Sequence, residues 1–177
     1  MNLYASNTIK KYFLLLKVLA VLTGVILLVM ILNSIPYKFS YVTNSQGFSA
    51  VFSREAGGLR GDSVMHLAVK KSNDWLYIGV LEDSDFGKRY PGSFWSKDET
   101  LIIAEDDGHE LFGYDFIDKR VLFNELDVTR TLKSRGGAGK RIFRDVDEFN
   151  QISRHPWWWE LSWLRRINSM EHAGSPK

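Results

Sequence analysis

The longest apolar stretch of the chain covers residues 12–32 and predicts a helix that spans a membrane. Lys17, Thr23 and Gly24 are its only interruptions, and no charge follows Lys17 within it. At about 1.5 Å of rise per residue, such a helix covers the roughly 30 Å hydrocarbon core of a bilayer. A buried helix of a soluble domain would instead carry polar residues along one face. No A-x-A-like pattern follows the stretch, so we expect an uncleaved signal anchor rather than a cleaved signal peptide.

After a short linker, residues 33–38, the pattern changes to short aromatic and β-branched runs that predict strands. These runs cover residues 39–42, 48–52, 64–71, 75–81, 100–104, 111–117 and 121–123. Asp107-Gly108 favours a tight hairpin between two of them, because both positions tolerate positive φ. The order of the runs predicts an antiparallel β-meander. Residues 129–140 are less regular, and their glycine-rich centre predicts a loop.

Helical signals return only near the C-terminus. Asp145 and Glu148 have the spacing of a capping box, and Pro156 suits the first turn of a second helix over residues 157–170. The predicted fold class is therefore α+β: an N-terminal transmembrane helix followed by an antiparallel β-meander closed by two C-terminal helices. Residues 39–177 would form this single extracytoplasmic, or periplasmic, domain.

Basic residues near the apolar stretch predict its orientation. Lys10, Lys11 and Lys17 are not accompanied by any acid, whereas Lys38 is the only nearby basic residue on the other flank. The positive-inside rule then makes residues 1–11 a cytoplasmic tail and places the domain outside the membrane. The rest of the chain is close to neutral, which argues against nucleic acid as a partner. The chain has no cysteine, which excludes disulfides, thiolate metal sites and thiol catalysis.

Charged residues of the predicted domain fall into two blocks of opposite sign. Residues 82–118 contain 11 acidic and three basic residues, and residues 119–144 contain eight basic and two acidic residues. One interpretation is a docking face, in which Asp106, Asp107 and Glu110 at a hairpin tip bind a partner protein. The alternative is that neighbouring strands pair these charges within the domain. The sequence leaves both interpretations open.

One catalytic set can be assembled from the sequence. Residues 61–64, Gly-Asp-Ser-Val, resemble the Gly-Asp-Ser-(Leu) block of one class of serine esterases, and Asp106 and His109 supply an Asp-x-x-His pair. The resemblance implies a small envelope hydrolase that uses Ser63, His109 and Asp106. It also implies a doubly wound α/β fold, for which this chain lacks the alternating helices. We therefore predict no catalytic residues and keep the hydrolase as the alternative.

Metal ligands are not indicated by the residue spacing. Residues 105–110 are rich in carboxylates, but the EF-hand pattern is absent, and the four histidines lack zinc-type spacing. Surface charge explains the acidic run more simply. We expect no metal and no cofactor.

Four of the six tryptophans lie within residues 155–166. On a helix, Trp157, Leu161 and Leu164 share one face, which we expect to lie against the sheet. Tryptophans beside arginines also suit a lipid headgroup layer. On that ground the predicted membrane-interface residues are Trp159, Trp163, Arg165 and Arg166.

Together these features predict a non-catalytic domain, tethered by one helix, that binds another protein at the outer face of the membrane. Its expected partners are the lipid bilayer and another envelope protein. An envelope-facing immunity or inhibitor protein would have this build, and so would an accessory subunit of a membrane complex.

Overall fold

The computed structural model describes residues 3–33, 37–56, 63–83, 91–106 and 109–170, and the chain divides into two compact units. The first unit contains α1 (Leu3–Asn33), which includes the whole predicted apolar stretch and begins nine residues before it. Within α1, the 20 residues Lys11–Met30 are long and apolar enough to cross a membrane, and their side chains are exposed. The expectation of an N-terminal helix that could span a bilayer is confirmed.

The second unit, Pro36–Lys177, contains two antiparallel sheets. The first sheet has the order β1-β2-β3-β4, with strands Tyr37–Thr43, Ser49–Ala56, Ser63–Lys71 and Asp74–Asp83. The second sheet has the order β8-β7-β6-β5-β9. Its strands are β5 (Pro91–Ser96), β6 (Leu101–Asp106), β7 (His109–Asp115), β8 (Arg120–Leu122) and β9 (Ala138–Phe143). The α+β class and the antiparallel pairing are confirmed, but two sheets replace the single expected meander.

The main core lies between the two sheets, because one buried cluster takes its side chains from both. Phe52, Met65, Leu67 and Ile78 come from the first sheet, and Trp95, Ile102, Tyr114 and Phe143 come from the second. Alternate residues of a strand point to opposite faces, so β3 contributes Met65, Leu67 and Val69 here and Ala68 to another cluster. The rings of Phe52 and Phe143 meet edge to face at 4.9 Å across this core.

The loop predicted at the glycine-rich centre of residues 129–140 is only partly right, because residues 129–134 belong to a helix and residues 138–140 begin β9. Helix α2 (Glu125–Ser134) packs Val128 and Leu132 against the outer face of the second sheet. These two residues are spaced four apart and therefore lie on one face of the helix. Asn124 caps α2 by accepting a 2.8 Å hydrogen bond from the Asp127 N–H. The connection between α2 and β9 consists of Arg135, Gly136 and Gly137, and the two glycines have φ of 85° and 88°.

Two further helices follow β9. Helix α3 (Val146–Ile152) contributes Val146 and Phe149 to the main core, and its N-cap Asp145 accepts a 2.9 Å hydrogen bond from the Glu148 N–H. Helix α4 (Trp158–Asn168) buries Leu164 and Ile167 in a cluster with Phe39, Val51, Ala68 and Tyr77 of the first sheet.

The expected burial of Trp157 is wrong. Trp157 precedes α4 as its N-cap, with φ of −69° and ψ of 155°, and it is 61 % exposed. An extended residue does not follow the helical periodicity, so Trp157 does not share a face with Leu164. Leu161, the third residue of the expected buried face, is only partly buried.

Candidate functional site

A groove of about 520 Å³ lies between α4 and the turn that joins β3 to β4. We call it the α4 groove. It is lined by Asn73, Asp74, Trp75, Trp163, Arg166, Ile167 and Met170. These residues lie far apart in the sequence, and the packing of α4 on the first sheet brings them together.

One side of the α4 groove begins at a tight turn. Lys71 and Asp74 are paired across the β3–β4 hairpin, so Ser72 and Asn73 alone make the turn. Ser72 has φ of 57°, a left-handed conformation that costs an L-residue roughly 1–2 kcal/mol. This turn places Trp75 at the start of β4, next to the helix.

Aromatic rings form the wall of the α4 groove. Trp75 and Trp163 meet edge to face with centroids 5.5 Å apart, and Tyr41 packs on Trp75 in the same manner at 5.7 Å. Phe39 also meets Trp163 edge to face, with ring centroids 6.4 Å apart. Such pairs contribute about 0.5–1.5 kcal/mol each beyond area burial, so this row of rings forms a stiff surface.

Charges of opposite sign lie at the rim of the α4 groove. Asp74 and Arg166 are both exposed lining residues. Within the described part of the chain, Arg166 forms no ion pair, and its guanidinium can therefore bind an external carboxylate. An aromatic centre with a charged rim has the anatomy of a protein–protein contact.

A second surface lies at the start of α4, where three consecutive tryptophans are exposed. We call Trp157, Trp158 and Trp159 the tryptophan patch, with exposed fractions of 61, 74 and 55 %. The rings of Trp157 and Trp159 stack with centroids 5.4 Å apart and planes 2° from parallel. Trp158 meets Trp159 edge to face at 5.6 Å.

An ion pair orders the backbone of the tryptophan patch. Arg154 donates two hydrogen bonds to the Glu160 carboxylate, at 2.8 and 2.6 Å, and the Trp157 N–H donates a third at 2.7 Å. The bonds from Arg154, helped by that from Trp157, outweigh partial burial and hold the pKa of Glu160 below its ordinary value.

The patch is also joined to the first strand. Arg154 pairs with Phe39 through two backbone hydrogen bonds of 3.0 Å, and its guanidinium lies 4.2 Å from the centre of the Phe39 ring. The next residue, His155, places Nδ1 3.2 Å from the carbonyl oxygen of Tyr37, the first residue of β1. The start of α4 is therefore fixed beside the start of β1.

The two charge blocks pair with each other at several described positions. Arg135 contacts the fully buried carboxylate of Asp115 at 2.9 Å and that of Asp118 at 3.5 Å. Arg141 of β9 pairs with Glu105 of β6. These contacts favour internal pairing over separate acidic and basic faces. Asp107 and the side chains of Asp106 and Glu110 lie outside the described residues, so their predicted role in docking stays a prediction.

The residues of the hydrolase alternative occupy different sheets. Ser63 is the first residue of β3 and is paired with Asp83, whereas Asp106 and His109 are paired at the β6–β7 hairpin. Their side chains lie outside the described residues, so the catalytic set stays a hypothesis. Among the residues that the structure describes, no group of three or more His, Cys, Asp or Glu could hold a metal ion.

The predicted membrane-interface residues have different surroundings. Trp159, Arg165 and Arg166 are exposed, while Trp163 is half-buried between Phe39 and Trp75. The sequence could have shown that at least one of Trp157, Trp158 and Trp159 is exposed, although not which one. Successive helical residues are rotated by about 100°, so three consecutive tryptophans cannot all face one sheet. The α4 groove could not have been found from the sequence, because Trp75 and Trp163 are far apart along the chain and meet only in the folded domain.

These features define an α+β domain that follows a helix apolar enough to cross a membrane. No protein-family model matches the chain, and neither a curated protein nor a solved structure matches it. Inferences about its function therefore come from its own residues.

Proposed function

We propose that this chain is a single-pass membrane protein whose domain binds another protein at the outer face of the membrane. In this proposal residues 12–32 of α1 form an uncleaved signal anchor, residues 1–11 are its cytoplasmic tail, and the sheets closed by α3 and α4 lie outside. Lys10 and Lys11 before the apolar stretch support this orientation.

The observation that carries the proposal is the α4 groove, with its aromatic wall and charged rim. Its volume of about 520 Å³ is in the range of pockets that enclose a ligand, and it can accept one or two large side chains of a partner. Trp, Tyr and Arg are the residue types that dominate binding energy at protein interfaces. Trp75, Trp163 and Arg166 provide this chemistry on one stiff surface.

The shape and charge of the α4 groove indicate what the partner offers. An apolar or aromatic side chain would pack against Trp75 and Trp163, and a neighbouring carboxylate would bind Arg166. A segment of another envelope protein can present both groups. This build suits an inhibitor or immunity protein, and it equally suits an accessory subunit of a membrane complex.

Capture from detergent-solubilised membranes tests the proposal with the full-length chain as bait. The variant Asn73→Arg/Arg166→Glu fills the mouth of the α4 groove and reverses its rim charge. We expect its partner to bind at least tenfold more weakly, which corresponds to about 1.4 kcal/mol.

The matched control is Arg130→Glu, which makes the same charge reversal on α2. Its side chain is 82 % exposed and packs on neither surface described above, so binding should not change. Equal capture by the wild type and both variants would contradict the assignment of binding to the α4 groove.

A further inference from the structure

We propose that the tryptophan patch lies in the headgroup layer of the bilayer that α1 spans, so that the domain contacts its own membrane. This inference rests on the membrane anchoring of the proposed function but not on its partner. The occupant of the patch is a lipid surface, and the α4 groove is left for the partner.

All three side chains of the tryptophan patch are exposed. Tryptophan has a large apolar ring, and three adjacent rings that are each more than half exposed are unusual on a water-facing surface. At a membrane interface the same ring is favoured, because its apolar body enters the acyl boundary while the indole N–H stays among polar headgroups.

The tryptophan patch is held in one arrangement by its own contacts. Trp157 and Trp159 are stacked, and the bonds of Arg154 and the Trp157 N–H to Glu160 fix the start of the helix. The rings therefore lose little conformational freedom when they enter the headgroup layer. A flexible tail with the same three residues would lose more.

The short connection between α1 and β1 favours lipid as the occupant of the tryptophan patch. Only residues 34–36 separate the last residue of α1, Asn33, from Tyr37. A fully extended chain covers at most about 3.6 Å per residue, so these two residues are at most roughly 14 Å apart. His155 contacts Tyr37 within the domain, and the patch begins two residues later. A patch tied to so short a tether lies within reach of the bilayer surface.

A basic residue further along the same helix agrees with this occupant. Arg165 is exposed in the last turn of α4 and can attract the anionic headgroups of a membrane surface. Trp163, although predicted as an interface residue, packs between Phe39 and Trp75 and is not part of the patch.

Quenching of tryptophan fluorescence by brominated acyl chains tests this inference on the full-length protein in phosphatidylcholine–phosphatidylglycerol vesicles. All six tryptophans lie in the domain and none lies in α1, so emission reports on the domain alone. We expect brominated lipid to quench the wild type. In Trp157→Phe/Trp158→Phe/Trp159→Phe the quenched fraction should fall by more than about half, because the interfacial rings are removed as reporters.

Flotation of the same vesicles separates this inference from the anchoring on which it rests. Protein that floats with the vesicles but is not quenched, or is quenched equally in the wild type and the triple variant, would overturn the contact with lipid. Strong quenching of the wild type by aqueous iodide in those vesicles would also overturn the contact with lipid. The occupant of the tryptophan patch would then be a protein. Protein that does not float would overturn both this inference and the anchoring.

Discussion

Trp157 and Trp163 lie fewer than two helical turns apart, yet their surroundings differ. Trp163 packs its ring between Phe39 and Trp75, whereas Trp157 stacks only on Trp159 and is mostly exposed. The buried residues of α4 are Leu164 and Ile167. The buried side chains, Leu164 and Ile167, hold α4 on the sheet, whereas the exposed side chain of Trp157 is available for binding.

Two alanine substitutions test this division. Leu164→Ala removes a side chain that is fully buried against the sheet, and we expect it to lower the free energy of unfolding by about 2–5 kcal/mol. Trp157→Ala should lower it by less than about 1 kcal/mol, since its main partner is one stacked ring. Urea unfolding of the full chain in mild detergent measures both values. A loss for Trp157→Ala as large as that for Leu164→Ala would show that Trp157 has a core role.

The sequence predicted the helix near residues 157–170 but not which residues it buries. The expected buried face grouped Leu164 with Trp157 and Leu161, whereas the structure buries Leu164 with Ile167 and leaves Trp157 as an extended N-cap before α4. Spacing along the chain shows which residues share a face of a helix, but not which of two overlapping apolar faces packs on the sheet. Pro156 marks a helix start only approximately, so this error could not be corrected without the structure.

Among the elements, the start of α4 depends on the ion pair between Arg154 and Glu160. The carboxylate accepts hydrogen bonds from Arg154 and from the Trp157 N–H, and its pKa is lowered from its ordinary value of 4.5. A pKa that is lower in the folded state means that the ionised carboxylate stabilises the fold. This contribution is fully present above about pH 4.5 and is lost as the pH falls through the folded-state value.

Glu160→Gln tests that contribution, because glutamine can still accept the bond from the Trp157 N–H but carries no charge. At pH 7 the variant should be less stable than the wild type by about 1 kcal/mol, as expected for a partly exposed pair. The difference should shrink towards zero as the pH falls below 4.5, the ordinary pKa of this group. Urea unfolding at several pH values measures it. A difference that does not change with pH would exclude the charge as its cause.

Most strands could be predicted, whereas their division into two sheets could not. Apolar runs predict seven of the nine described strands but neither β5 nor β9, and these two strands pair with each other although more than forty residues separate them. A side chain at Gly139 would place its Cβ 2.5 Å from the carbonyl oxygen of Ser96, so this pairing requires a glycine. Gly136, Gly137 and Gly139 give residues 135–140 the composition of a loop. Helix α2, just before them, was not predicted because its buried apolar face consists only of Val128 and Leu132.

Across the whole molecule, the charge blocks illustrate what sequence alone leaves open. Their composition suited both a docking face and internal pairing, and only tertiary contacts distinguish the two. Arg135 with Asp115, and Arg141 with Glu105, join the basic block to the acidic one. These ion pairs therefore help to hold α2 on the second sheet and β9 at the edge of that sheet, while exposed aromatic surfaces become the stronger candidates for binding.

Membrane anchoring is the feature that both proposed surfaces depend on. Lys11–Met30 contains 20 residues, which span about 30 Å as a helix, the thickness of the hydrocarbon core. Lys10 and Lys11 on the N-terminal side favour a cytoplasmic N-terminus. An outer-face binding domain requires this orientation, because the α4 groove and the tryptophan patch belong to the part that follows the helix.

A topology measurement on the full chain tests this requirement most directly. Two reporters are fused in turn after Lys177, one that is active only after export and one that is active only in the cytoplasm. We predict activity of the exported reporter alone, with the fusion protein retained in the membrane fraction after alkaline extraction. Activity of the cytoplasmic reporter alone, or release of the fusion protein from the membrane, would contradict an anchored domain at the outer face.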